Sequence, residues 1–424
     1  MQLSKHPKEL WILGLTELCE RYAFWGVNNL LVLYLVEYYH YSNENAMHVY
    51  GFFSGFAAFM PFAGGWLADR WNYQSPLFLG ALANALACFC IATGSHSLLY
   101  IALTMMSLGY ALFTPSIITI LGFSYHDKPH LRHAGFSLYY ASINIGVFLA
   151  LASMGTVAKL VNWEMAFVLA GFVQIIGLIP LTLYVVKHKE VYRQYKSRQA
   201  APSKITYEQK DRMKVLGVYC VISLLFWISY MQCFSSMEIF VHQFMNKTVF
   251  SLPIPEGVFL SMESFFLLLL APILATLYVR LKRDPSPAIK GVLSLYFMAA
   301  GFLLMAIGST LIPSQATSAN VSWGYVVGSY FLVACGEMLF APIGLSLFSH
   351  LASRRFKAFS VGVFYGSIGV AFYMGGLLAG LMNSMGSLFY FFFLFVGITL
   401  AGALVMTFIQ KWLTRKSHFQ GSFD

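Results

Sequence analysis

Apolar residues run along this chain in stretches of about 20, broken by short polar segments. That is the length a helix needs to cross a bilayer. The stretches lie near 9–37, 46–68, 75–94, 98–124, 134–158, 163–186, 214–244, 254–279, 289–312, 323–350, 359–383 and 386–410. A helix is the only open-ended element that satisfies its own backbone in lipid. The pattern therefore predicts an all-α membrane protein of twelve transmembrane helices.

Composition supports this reading. Hydrophobic residues make up 58% of the 424 positions and charged residues 10%, against roughly 25% charged in a soluble domain. The net charge of +10 is confined by position. Lys5, Lys8, Arg70, Lys128, Arg132, the run from Lys187 to Lys214, Arg280, Lys282, Arg283, Lys290, Arg354, Arg355, Lys357, Lys411, Arg415 and Lys416 fall on alternate connections, and the opposite connections hold only Lys159 and Lys247. The positive-inside rule then places both termini in the cytoplasm. The basic excess reads as topology and anionic-lipid contact, with no nucleic-acid partner. Short loops suggest a bacterial inner (plasma) membrane. The first span is too long for a signal-peptide core. The six cysteines sit inside spans without metal-ligand spacing, so neither a metal nor an organic cofactor is expected.

One long polar stretch, 188–213, divides the spans six and six. It suggests an N-terminal bundle over 1–187, a basic cytoplasmic linker over 188–213, a C-terminal bundle over 214–413 and a tail over 414–424. Two six-helix halves about a basic linker resemble the major facilitator superfamily, whose related halves rock about a midplane site. After the second span comes Gly64-Gly65-Trp66-Leu67-Ala68-Asp69-Arg70. Glycines permit close helix approach, and an acid at a helix end can cap a neighbour. The segment resembles the superfamily's loop motif between helices two and three, and the resemblance implies that Gly64, Asp69 and Arg70 belong to a gating loop, although an ordinary turn after a span would read the same way.

A charge at bilayer depth costs at least ~2.5–3.5 kcal/mol on insertion scales and marks a functional candidate. Glu17, Glu20 and Arg21 stand three and four positions apart, on one face of the first helix. Burial and repulsion favour a proton on one of the two carboxylates. Such a group can exchange that proton as water access alternates, although a static ion pair between helices would use the same residues. Glu263 and Glu337 are further intramembrane acids, in the eighth and tenth spans.

At Glu17-Leu-Cys-Glu20-Arg21-Tyr22-Ala-Phe24-Trp25-Gly26 the chain resembles the proton-dependent oligopeptide transporter (POT) family, whose pattern is E-x-x-E-R-F followed by two aromatics and glycine. Phe136-Ser137-Leu138-Tyr139-Tyr140-Ala-Ser-Ile143-Asn144-Ile145-Gly146 is similar to the fifth-helix signature. Phe226-Trp227-Ile-Ser-Tyr230-Met231-Gln232 is similar to the seventh-helix segment. Gly336-Glu337-Met-Leu-Phe-Ala341-Pro342 is similar to the tenth-helix motif. The resemblance implies that Glu17, Glu20 and Arg21 couple transport to protons. It also implies that Arg21, Trp25, Asn28, Thr114, Asn144, Trp227, Gln232, Glu263 and Glu337 line the substrate cavity.

The chain departs from the family where cations are expected. Thr114 replaces a fourth-helix lysine and Asn28 an arginine, Met231 replaces a glutamate, and Glu263 stands at a usual asparagine. Four acids would then face one guanidinium, so either some are protonated or the substrate is cationic. The expectation is a monomeric, proton-coupled symporter of peptides or peptide-like, amine-bearing small molecules, with atypical preference. A plain di- and tripeptide symporter, a proton-driven exporter of cationic drugs or metabolites, and a membrane-embedded enzyme are the alternatives. The last lacks any nucleophile or metal constellation in sequence.

Overall fold

The computed structural model describes residues 6–199, 207–254, 258–259, 261–280, 285–313, 316, 318–352, 356–382 and 385–417. Residues 200–206 of the expected linker, Arg354, Arg355 and residues 418–424 of the expected tail lie outside the described residues. The helices are α1 (Lys8–Glu37), α2 (Asn43–Phe59), α3 (Pro61–Arg70), α4 (Gln74–Ala92), α5 (His96–Ser124), α6 (Arg132–Leu160), α7 (Trp163–Gln199), α8 (Tyr207–Tyr230), α9 (Ser236–Gln243), α10 (Met262–Arg280), α11 (Pro287–Ser309), α12 (Trp323–Leu351), α13 (Lys357–Ala379) and α14 (Leu388–Ser417).

Ten spans among the described residues are long and apolar enough to cross a membrane. The other two expected ones are α1, which has the length but carries three charges mid-helix, and α10, whose apolar run Met262–Leu274 is short. The protein is an all-α, multi-span membrane protein.

Three expected spans differ in detail. The second is split into α2 and α3 at Met60, because Pro61 has no N–H to donate. The seventh is interrupted by a 3₁₀ turn over Met231–Phe234 before α9. The eighth starts at Met262 rather than near 254, after a small hairpin pairing Thr248–Val249 with Leu252–Pro253. The linker also differs, since α7 continues to Gln199 through residues such as Lys, Glu, Arg and Gln that favour helix whatever their charge.

The chain packs as two compact units, one of Met1–Met213 with Leu345–Gly366 and the other of Lys214–Gly344 with Ser367–Phe423. The ends of α12 and α13 nearest each other in sequence thus pack with the first unit. In that unit α1 is buried along most of its length, its charged stretch at Glu17, Glu20 and Arg21 included. Tyr22, Phe24, Leu31 and Tyr34 pack there with Phe53, Cys88, Met106, Met154 and Phe167 from five other helices. The second unit is built on stacked aromatics, with Phe340 lying 5.0 Å from Tyr219 and 4.6 Å from Phe226 between ring centroids.

Candidate functional site

In the first unit Glu17, Glu20 and Arg21 meet as their spacing predicts. Arg21 Nε lies 2.9 Å from Glu17 Oε1 and 2.6 Å from Glu20 Oε2. Neither acid is exposed at all, and Arg21 is 3% exposed. Three other helices complete the cluster. Tyr139 of α6 donates to Glu17 Oε2 at 2.6 Å, Asn84 of α4 donates to Glu20 Oε1 at 2.9 Å, and Arg21 Nη2 donates to Thr114 Oγ1 of α5 at 3.0 Å. The Tyr110 ring sits 4.6 Å from the guanidinium carbon. With all three charges present the cluster carries one net negative charge, and a single added proton neutralises it. A buried group in that condition is suited to taking and releasing a proton.

Asn84, Tyr110 and Tyr139 were not singled out by the sequence motif as members of this cluster. The available signal was a lone amide at depth in the apolar span 75–94, where a polar group needs a partner.

The remaining candidates of this unit are more scattered. Asn28 donates from Nδ2 to Ser54 Oγ at 3.2 Å and accepts from the Tyr50 hydroxyl at 3.2 Å, so neutral polar contacts occupy the position of the family's arginine. Trp25 is half-buried against the apolar core, edge-on to Phe24 at 6.1 Å. Asn144 donates to Tyr140 O of its own helix at 3.0 Å. Thr114 joins the charge cluster itself.

In the second unit Glu263 and Glu337 are 3% and 2% exposed and come together. Tyr230 donates to Glu263 Oε1 at 3.2 Å, and Ser264 donates to its Oε2 at 3.3 Å. Trp227 packs edge-on to Tyr230 at 5.0 Å. Gln232 holds the break in the seventh span. Its Nε2 donates to Gly375 O at 2.9 Å and Ile228 O at 3.4 Å, and its Oε1 accepts from Ser236. Those bonds tie the Gln232 amide to the scaffold rather than leaving it open to a ligand.

The gating motif folds within the first unit. Asp69 accepts from the backbone N–H groups of Ala358 at 3.0 Å and Phe359 at 2.8 Å, capping the first turn of α13 from a distant segment. Tyr73 donates to the same carboxylate at 2.9 Å. Arg70 lies over the Trp66 ring at 3.8 Å. A Cβ on Gly64 would fall 1.9 Å from Ala111 O, one on Gly65 2.3 Å from Ala358 O, and one on Gly362 2.2 Å from Pro61 O. Here α3 touches α5 and α13 backbone to backbone. Nearby, the buried Arg132 donates to Gly122 O at 2.6 Å, to Ser346 Oγ at 3.2 Å and to Ser349. His6, ahead of α1, places Nδ1 2.8 Å from the Tyr125 hydroxyl. Burial and the nearby Lys128 hold its pKa below the usual histidine value.

Comparison with known proteins follows this geometry. The model of the Major Facilitator Superfamily matches residues 13–297. Dipeptide and tripeptide permease A of Escherichia coli is 22% identical over 89% of this chain and 85% of its own length. Peptide transporter YePEPT of Yersinia enterocolitica is 26% identical over 89% of this chain and 88% of its own. Among solved structures, a peptide transporter POT in complex with sulfate superposes with TM-score 0.72 at 22% identity, covering 98% of this chain and 97% of that one. A POT family transporter in complex with 5-aminolevulinic acid gives 0.74 at 19% identity, covering 97% and 98%.

Proposed function

The chain belongs to the Major Facilitator Superfamily, with POT transporters as its relatives there, and on that premise we propose that it imports peptides or peptide-like, amine-bearing small molecules together with protons. The observation that carries this reading is the Glu17–Arg21–Glu20 cluster, buried and one proton short of neutrality. Glu20 and Glu17 act as the proton-coupling acids, and Arg21 keeps them in the membrane while leaving one negative charge to be titrated.

The substrate preference is atypical. A peptide carboxylate needs cations, and two usual ones are replaced by Thr114, which serves Arg21, and by Asn28, which is tied to Ser54 and Tyr50. Compounds whose binding rests on an amine are therefore favoured over those held by a carboxylate. The protein acts as a monomer in the bacterial inner membrane.

Proteoliposomes test this. An inward proton gradient should drive accumulation of alanyl-alanine, with cationic amines competing. Glu20→Gln should abolish accumulation yet keep counterflow exchange. Unchanged accumulation in that variant would remove the coupling role from the first-helix cluster, and indifference to amines would remove the atypical preference.

A further inference from the structure

A carboxyl group that takes up a proton changes from a pure acceptor into a donor at one oxygen. A buried carboxyl therefore needs a neighbour that suits both states. The two acids of the first unit differ in this respect. Each places one oxygen against Arg21 Nε, which leaves Glu17 Oε2 and Glu20 Oε1 to carry a proton, and these face Tyr139 and Asn84. If the Tyr139 hydroxyl accepted from Glu17, its own single proton would need another acceptor. Tyr139 makes no second hydrogen bond among the described residues.

Asn84 is better equipped. It is fully buried, its Nδ2 donates to Glu20 Oε1 at 2.9 Å, and its Oδ1 has no hydrogen-bond partner among the described residues. The two ends of an asparagine amide are nearly the same shape, one donating and the other accepting. A half-turn of the amide thus exchanges them within one envelope. The orphaned end lies beside a carbonyl of its own helix: a Cβ on Gly109 would fall 2.3 Å from Asn84 Oδ1 and 2.8 Å from Gly80 O. After the half-turn Nδ2 stands there, and it can donate to Gly80 O four residues back. Asn144 makes this same kind of bond, to Tyr140 O at 3.0 Å.

We propose that Asn84 is a positioning residue for the proton step, assigning the proton to Glu20 by turning its amide. While Glu20 is ionised, Nδ2 donates to it and Oδ1 is unpaired. When Glu20 Oε1 binds a proton from water, the amide turns, Oδ1 accepts from the new O–H, and Nδ2 donates to Gly80 O. Release of the proton to water reverses the step, and the amide keeps both of its own protons throughout. The other groups facing Glu20 are Arg21 and Glu17 on α1, Cys88 on α4, Tyr110 on α5 and Tyr365 on α13. Among the described residues Asn84 alone bonds Oε1. The place of this step in transport rests on the coupling reading above, whereas the turning of the amide does not.

Infrared difference spectra of the purified full-length protein, acid minus alkaline, test the turn. With isotope-labelled asparagine, the wild type should show a label-sensitive pair of amide carbonyl bands that is lost in both Glu20→Gln and Asn84→Leu. Absence of the pair, or its survival in either variant, overturns the proposal. The pH profile of alanyl-alanine accumulation in proteoliposomes is the second measurement. With Glu20 ionised the amide makes one bond and leaves one atom unpaired, and with Glu20 protonated it makes two. Asn84 thus favours the proton, and Asn84→Leu should lower the pH midpoint by about one unit. A fixed amide, donating to the carboxylate alone, would be a stronger partner of the ionised form, and its loss would raise the midpoint. A rise, or a weaker accumulation at every pH with the midpoint unmoved, overturns the proposal. If the wild type does not accumulate alanyl-alanine, the transport reading falls, while the amide bands still decide the turn. Should Asn84→Leu fail to fold, loss of the pair in Glu20→Gln decides it.

Discussion

Arg21 is the residue on which the first unit's charge balance turns. Both carboxylates approach the same nitrogen, while another reaches Thr114 on a different helix. Removing the guanidinium leaves two buried acids with only neutral donors, and breaking a buried ion pair in this way costs about 3–5 kcal/mol. Arg21→Ala should therefore lower the thermal melting point in detergent sharply. Arg21→Lys, which keeps the charge but loses the planar fork, should fall between the two. Equal melting of all three proteins would show that the cluster does not hold the fold. The cluster's core was legible because its three members lie on one turn of one helix. Asn84 and Tyr139 were not, because they arrive from helices whose rotation about their own axes is set by packing. Gln232 illustrates the same limit. Its place in a motif says that it is buried, but only the fold reveals that Gly375 and Ser236 take up its amide.

At the level of elements, the informative cases are those where one segment completes another. The first turn of α13 takes its cap from Asp69, which lies in α3. Replacing a capping residue by alanine costs about 0.5–2 kcal/mol. Asp69→Ala should lower the melting point by a corresponding amount, with Asp69→Asn closer to the wild type because Asn also caps. A loss confined to Asp69→Asn would overturn the capping role. The N-terminal segment has a comparable tie in His6 and Tyr125. Because the folded pKa of His6 is depressed below 6.5, the unfolded chain takes up its proton first as pH falls. The contribution is full above about pH 6.5 and is lost as pH drops through the folded value. Wild type should accordingly lose more melting temperature than His6→Gln over that range, and parallel curves would exclude the effect. Element boundaries were readable where turn chemistry was explicit. The late start of α10 had such a signal in Leu252-Pro253-Ile254-Pro255, since a residue before proline avoids the helical region. The 3₁₀ turn over Met231–Phe234 lacked one, because tertiary hydrogen bonds hold it.

For the whole molecule, the bilayer made the architecture legible. Span number follows from a fixed thickness, and that constraint acts on sequence directly. As a member of a transporter superfamily the chain is not an enzyme. What remained hidden was the pairing of Leu345–Gly366 with the first unit, since apolar helix ends carry no address for the surface they join. Orientation is the prediction proper to this scale. Epitope tags at either terminus should be reached by antibody only after the cells are opened, as the one-sided lysines and arginines require. Labelling of intact spheroplasts would overturn it. The glycine contacts of α3 bear on how such a molecule can move. Where Gly64 and Gly65 face the backbones of α5 and α13, and Gly362 faces Pro61, backbone meets backbone, while Phe62 packed on Phe359 and the Asp69 cap must give way before one helix can slide along the next. The contact works as a latched bearing: the glycines set its clearance, and the Asp69 cap fastens it.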